Sequence, residues 1–455
     1  MTYGTDLVVV MPRRRAQRPP RAAAAGAASQ SPLAFWALLG FTFIMFLSPQ
    51  TYLPILKPLH LALLTAVLAV GAFAFDRFAR HLPMVVLLRE NVLILLLVGW
   101  VLFTLPMSVW PGGSLHVLTD LYLKTLIVYW LLSHVIVTAD RLRRLAWALT
   151  LMSIPIAITA LVHLLSGNFV ENGGERIVGY DAPLTGNPND LALTLNLLLP
   201  LAIALLLGSH GPLQRALLVG CICLDAIGVV ATFSRGGFLT LCAIGVVYLL
   251  ILFRRGHRQL PFLALFLALA AVPLLPGGYV QRLSTITNIE ADHSGSAQQR
   301  LSDSIAAVKY VVFHPLVGGG IGQDQLALNQ VRGNTWTHVH DVYLEYAVDL
   351  GLPGALLFLL ILRGVLCRVR IAQRRFANAQ GGGQSFYLAE GIRTSLIAFA
   401  VAGFFHPIAY QAFFYFFAGL AMAAYFIAMA EPGGPSVPDR RRRGAPRPGY
   451  APHAH

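Results

Sequence analysis

The chain has 455 residues, of which 56% are hydrophobic and only 12% charged, with a formal net charge of +14. Soluble domains carry about 25% charged residues, so this composition excludes a soluble globular protein and specifies an all-α polytopic membrane protein. Nucleic acid is not the partner implied by the charge. Its densest runs, Pro12 to Arg21 and Arg440 to Arg443, lie in Pro- and Ala-rich tails, where basic residues mark the cytoplasmic side and meet anionic lipid.

After a basic tail at 1–31, twelve apolar segments follow at 33–48, 59–75, 91–105, 115–137, 145–165, 190–208, 214–232, 236–253, 260–275, 341–362, 390–405 and 412–430. Most approach the roughly 20 residues needed to cross a bilayer core. Nine segments fall within 32–275, a polar insertion fills 276–340, three more segments fill 341–430, and a second basic tail occupies 431–455. The first segment is expected to stay as an anchor, because its Ala-rich stretch precedes the apolar run instead of following it. In the fourth segment Asp120 and Lys124 stand four apart and are expected to form a pair within the membrane, the alternative being a proton path. Cys221, Cys223, Cys242 and Cys367 suggest neither a disulfide nor a zinc site and read as small buried hydrophobes.

Arginines orient the bundle. Arg77, Arg80 and Arg89, then Arg141, Arg143 and Arg144, then Arg215, Arg254, Arg255 and Arg258, and the stretch from Arg363 to Arg375 mark one side. The alternate connections are poor in Lys and Arg: 106–114 has none and 166–189 only Arg176. By the positive-inside rule the rich side, with both termini, is cytoplasmic. The large insertion therefore faces outward. Within it Gln299 to Phe313 spaces Leu301, Ile305 and Val308 as an amphipathic helix lying near the membrane interface.

Unusual residues collect on the outward side. The connection 166–189 reads SGNFVENGGERIVGYDAPLTGNPN; the turn TFSRGG carries Arg235; the large insertion holds Arg282, Arg300 and Arg332 before THVHD, Thr337 to Asp341. Arginine offers a planar donor fork suited to phosphate oxygens, and the two glycines after Arg235 would admit a phosphate close to the backbone. An interface anchor is the plainer reading of Arg235. His338 and His340 read as surface groups, as part of a metal site, or as a base that accepts a hydroxyl proton, with Asp341 or Glu345 as orienting carboxylates. His406 is a further candidate for lining the site. The GGGIG run, Gly318 to Gly322, lacks the following Lys and Ser/Thr of a nucleotide loop.

These residues resemble the O-antigen ligase and polymerase superfamily of bacterial inner-membrane glycosyltransferases. That family's signature is His, then Asn, Ser or Gln, nine residues, Gly, two residues and Gly. Counting from His340 gives Asp341, nine residues through Leu350, Gly351 and Gly354, whereas counting from His338 would put Asp349 at the first glycine. Asp341 departs from the usual amide or hydroxyl. SRGG at 234–237, GNPND at 186–190 with Asn187 and Asn189, and the run from Ser294 to Gly322 look like further family stretches.

The resemblance implies transfer of a glycan from undecaprenyl pyrophosphate to an acceptor hydroxyl, with lipid A-core the favoured acceptor, at the periplasmic face of the inner membrane. It implies His340, with His338 beside it, as the base, and Arg235, Arg176 and Arg300 as pyrophosphate ligands. No metal or nucleotide cofactor is implied. A polymerase or a protein O-glycan ligase shares this chemistry. A secondary transporter is the alternative from another class, though its ionisable residues belong near the bilayer midplane.

Overall fold

The computed structural model describes residues 31–170, 176–256, 259, 262, 278–286, 295–379 and 383–430. The chain is all-helical there, apart from one isolated bridge between Phe169 and Ile177. Ten described helices are long and apolar enough to cross a membrane. The bundle comprises α1 (Pro32–Leu47), α2 (Leu61–Ala79), α3 (Arg89–Thr104), α4 (Pro111–Val135), α5 (Ala139–Leu165), α6 (Pro188–Leu207), α7 (Pro212–Ala231) and α8 (Arg235–Arg254). Then come the short α9 (Tyr279–Ser284), α10 (Ser296–Phe313) and α11 (Asp324–Arg332), followed by α12 (Val342–Asn378), α13 (Gly383–Ala402) and α14 (Ala412–Ala430).

Eleven of the twelve expected segments are thus helices, of which α1, at 16 residues, is not among the ten long enough to cross. The segment expected at 260–275 lies outside the described residues, Phe262 excepted. The main difference is α12, whose 37 residues absorb the basic 363–375 stretch expected as a connection. Alternation of apolar and Arg positions lets that stretch continue the helix against α14: Arg368 donates to Glu90 Oε2 at 2.8 Å and to the Tyr425 hydroxyl at 2.8 Å. Of the four cysteines only Cys221 is buried. The other three lie on helix surfaces, and Cys367 is in α12 and not in a loop.

Lipid offers helices no hydrophobic drive toward one another, so association relies on close packing and on satisfied polar groups. The crossings accordingly meet at small residues. A Cβ on Gly228 would stand 3.2 Å from the Ala157 Cβ, and one on Gly391 would stand 2.6 Å from the Pro200 carbonyl oxygen. α14 is buried along most of its length against α4, α12 and α13. In α4, Lys124 meets Asp120 at 2.9 Å, the expected pair, beside a π-helical stretch, Val117–Tyr122.

Helix succession places two kinds of residue at opposite ends. α5 runs from Arg141, Arg143 and Arg144 toward Asn168, α6 returns from Asn187 to the Arg215 end, and α7 comes back to Ser234. The cleft described below therefore lies at the end opposite the arginine-rich turns. At that far end Arg255 donates to Glu390 Oε2 at 2.6 Å and Arg143 to Gln384 Oε1 at 3.1 Å.

The large insertion packs on the first turns of α12. In α10 the expected stripe is open, with Leu301, Ile305 and Val308 about half exposed, while Asp303, Ala306, Ala307 and Tyr310 face the protein. The GGGIG run docks beside it as structure: Gly319 N–H donates to Val348 O, Gly320 N–H to Asp349 O and Gly322 N–H to Asp349 Oδ2, each at 2.7 Å. α12 breaks at Gly351, whose φ of 67° is left-handed, and there Leu352 N–H turns to Pro315 O at 2.8 Å.

A Cβ on Gly351 would stand 2.3 Å from the Leu316 carbonyl oxygen. Gly351→Ala should therefore lose at least about 1–3 kcal/mol through backbone strain, seen as a lowered midpoint of thermal unfolding in detergent. Gly245→Ala, where a Cβ meets nothing within 4 Å, should leave that midpoint unchanged or raise it.

Candidate functional site

Two capped helix starts build the floor of the cleft. Asn187 caps α6, its Oδ1 accepting from the N–H groups of Asn189 at 2.9 Å and Asp190 at 3.0 Å. Ser234 caps α8, its Oγ accepting from Gly237 N–H at 3.1 Å while its hydroxyl donates to Asn189 Oδ1 at 2.9 Å. GNPND and SRGG, far apart in sequence, are thus one bonded unit. The glycines after Arg235 do not open space for a phosphate as expected. A Cβ on Gly237 would lie 2.6 Å from the Ala192 Cβ, and one on Gly236 would lie 2.9 Å from the Phe405 Cβ. They let α8 lie directly against α6 and against the turn carrying His406.

Arg235, first residue of α8, donates from Nη1 to Thr285 Oγ1 at 2.7 Å and from Nη2 to Ser296 Oγ at 2.6 Å. It is held to both α10 and the end of α9. Arg282 donates to the Phe233 carbonyl at 2.8 Å. Arg176 stands near all of them: burial first, then the charges of Arg282, Arg300 and Arg235, lower its pKa to about 10. Its Nε is buried and finds no hydrogen-bond partner among the described residues. Four guanidinium groups thereby share one region, an arrangement that an anion would relieve.

The histidines line the same opening as Arg176. Nδ1 of His340 donates to the His338 carbonyl at 3.0 Å, since a carbonyl oxygen only accepts; Nε2 is then the unprotonated nitrogen. Nδ1 of His338 lies 2.9 Å from Oδ1 of Asp324. The two rings differ in basicity. Burial, then the Arg300 charge, lowers the pKa of His340 to about 4. Burial also opposes charge on His338, but the hydrogen bond to Asp324 and its negative charge prevail and the pKa is raised. Environments that separate two titrating groups in this way are those of proton-transfer sites. Burial, followed by Arg300, His340 and Arg176, lowers the pKa of fully buried His406 to about 3.

A cleft of about 780 Å³ joins these parts, lined by Arg176, Asn187, Asn189, His338, His340 and His406 among others. Arg235 and Arg300 stand behind that lining, close enough to act electrostatically on Arg176. The two carboxylates expected to orient an imidazole are engaged elsewhere. Asp341 caps α12, its Oδ1 accepting from Tyr343 N–H at 2.8 Å and Leu344 N–H at 3.0 Å. Glu345 is buried and accepts from Ala409 N–H at 3.1 Å, tying α12 to the His406 turn. Among the described residues no three His, Cys, Asp or Glu side chains gather as a metal ion would require.

Residues 219–359 match the family model described as O-antigen ligase. That segment runs from α7 through SRGG and the large insertion to the first half of α12, so the match supports the superfamily and an O-antigen ligase or polymerase type of activity. The family implies lipid-linked glycan substrates and a bilayer setting. No curated protein matches the chain.

Within the matched segment the signature acquires physical reasons. Gly351 is the left-handed break, and a Cβ on Gly354 would stand 2.3 Å from the Leu350 Cβ, which the break folds over it. The nine residues between are the helical turns that separate this break from the N-cap. Asp, Asn and Ser cap helices about equally well, so Asp341 keeps the chemistry of the position it departs from.

Asp324 was missed by sequence reasoning. It lies fourteen residues before His338 in the chain and carries no local motif, so only the docking of α11 reveals it. Arg282 and Arg332 were noted without roles. Arg332 pairs with Asp303 and donates to the Thr337 carbonyl at 2.6 Å, strapping the histidine segment to α10.

The electrostatics predict a titration. His340 should become protonated only near pH 4, well below an ordinary imidazole. Arg300→Gln, which removes a like charge, should move that midpoint upward. Ring signals of histidine-labelled protein, followed by NMR against pH, check both; a midpoint near 6.5 in the unaltered protein would refute the electrostatic account.

Proposed function

We propose that the protein transfers a glycan from undecaprenyl pyrophosphate to an acceptor hydroxyl of lipid A-core, on the periplasmic face of a bacterial inner membrane. The observation that carries this reading is the cleft itself. The unprotonated imidazole nitrogen and the Arg176 guanidinium border one opening, with the charges of Arg282, Arg300 and Arg235 acting on Arg176, at the end of the bundle away from the arginine-rich turns. By the positive-inside rule that end is periplasmic. The site's position at a helix end, and not at mid-bundle, favours group transfer over transport.

In the proposed reaction the acceptor hydroxyl oxygen attacks the anomeric carbon of the donor's first sugar. Nε2 of His340 takes the hydroxyl proton as the new C–O bond forms. The bond from that carbon to the diphosphate oxygen breaks, and undecaprenyl pyrophosphate leaves with the bonding pair. Its developing negative charge falls to Arg235, Arg176 and Arg300, whose fixed donors stabilise it without reorganising. The lowered pKa leaves this imidazole unprotonated at neutral pH, and neutralising the Arg300 charge with a bound diphosphate would raise its basicity toward the operating pH. Asn187 and Asn189, on the cleft wall, are suited to sugar hydroxyls.

Purified protein should convert a lipid-linked glycan in detergent with no ion gradient present. Failure with every donor and acceptor tried would overturn the reading. His340→Ala should lower the rate by about 10²–10⁴-fold, the usual contribution of a general base, with a folded protein by size-exclusion chromatography. Arg235→Lys keeps the charge but loses the two-pronged hold on Thr285 and Ser296. Turnover should fall roughly ten- to a hundredfold; equal rates would make Arg235 a simple anchor.

A further inference from the structure

Neither His338 nor His340 is held by the carboxylates that follow them in sequence, Asp341 and Glu345. Asp324, first residue of α11 and fully buried, does that work from a distance. Its Oδ1 accepts from Nδ1 of His338 at 2.9 Å and its Oδ2 accepts from the N–H of Val339 at 2.7 Å. The carbonyl of His338 in turn accepts from Nδ1 of His340 at 3.0 Å. One carboxylate therefore fixes the first ring directly, and also the peptide that orients the second.

We propose that Asp324 is the positioning residue for both imidazoles of the transfer site, an inference that rests on the glycosyl-transfer reading above. A carboxylate that accepts a ring N–H selects the tautomer and the ring's rotation. Here both Nδ1 atoms are occupied by oxygen acceptors, which leaves both Nε2 atoms as the reactive nitrogens of rings that line the cleft. The seat of Asp324 is built accordingly. Gly319, Gly320 and Gly322 bind α12 just ahead of it, and Ala327 N–H returns to the Gln323 carbonyl at 2.9 Å to start α11. At the other end of α11, Arg332 holds Thr337. The histidine segment is thus pinned at two points, and only the Asp324 end touches a ring.

A purely structural carboxylate would predict a different result from substitution. Asparagine matches Asp324 in size, but its single carbonyl oxygen cannot serve Nδ1–H of His338 and N–H of Val339 as two carboxylate oxygens do. The test uses the full chain in detergent, with a synthetic undecaprenyl-pyrophosphate-linked glycan and a lipid A-core acceptor. Asp324→Asn should lower kcat by about 10²-fold, the scale of a misplaced reacting group, and leave the donor KM within about twofold. His338→Ala should lower kcat less than Asp324→Asn does, because His340 then keeps its anchored peptide. An Asp324→Asn enzyme with undiminished kcat, or with a change in KM alone, overturns the inference while leaving the transfer reading intact. Should Asp324→Asn not fold, an undiminished kcat for folded His338→Ala overturns it equally, and a diminished one supports it. Absence of transfer by the unaltered protein would overturn both.

Discussion

The hydrogen bond from Ser234 to Asn189 is the joint on which the cleft depends. Helix ends leave backbone groups without partners, and near a membrane core water supplies few replacements. Here the caps satisfy that need and are also fastened to each other, across 45 residues of chain. The fastening brings α8 against α6, which is why Gly237 has no room for a side chain. It also decides where Arg235 begins its reach toward Thr285 and Ser296. Unfastened, the same arginine would keep its charge but have no fixed relation to Arg176.

One electrostatic field serves both halves of the proposed chemistry. Guanidinium groups around a half-buried Arg176 repel one another and favour an anion between them. Burial first, then the Arg300 charge, keeps His340 unprotonated, and burial with Arg300 and Arg176 does the same for His406. In the proposed chemistry the two parts are coupled: Arg300, one of the arginines that would hold a diphosphate, also acts against protonation of His340. His338 escapes that field through Asp324, which supplies the compensating negative charge.

Much of the architecture was legible in the chain. Apolar length and the alternation of arginines mark the helices and their order, because lipid tolerates few charges along a crossing. Asn187, Ser234 and Asp341 cap their helices through bonds to N–H groups two or three residues on. The spacing from His340 to Gly351 and Gly354 carried the family resemblance. Local rules misjudged places where a second element decides. The basic 363–375 stretch continues α12 because Glu90 and Tyr425 receive Arg368. The glycines after Arg235 face Ala192 and Phe405 instead of open space.

The sequence by itself determined the class, the helical segments, and the residue types that gather at one end, since hydrophobic length and capping are properties of neighbours in the chain. Tertiary structure decided which of those residues meet. Asp324, and neither Asp341 nor Glu345, reaches a histidine, because α11 docks through Gly319, Gly320 and Gly322 while the nearer carboxylates satisfy backbone N–H groups. Hydrogen bonds act over about 3 Å, a separation fixed by folding and invisible to spacing along the chain.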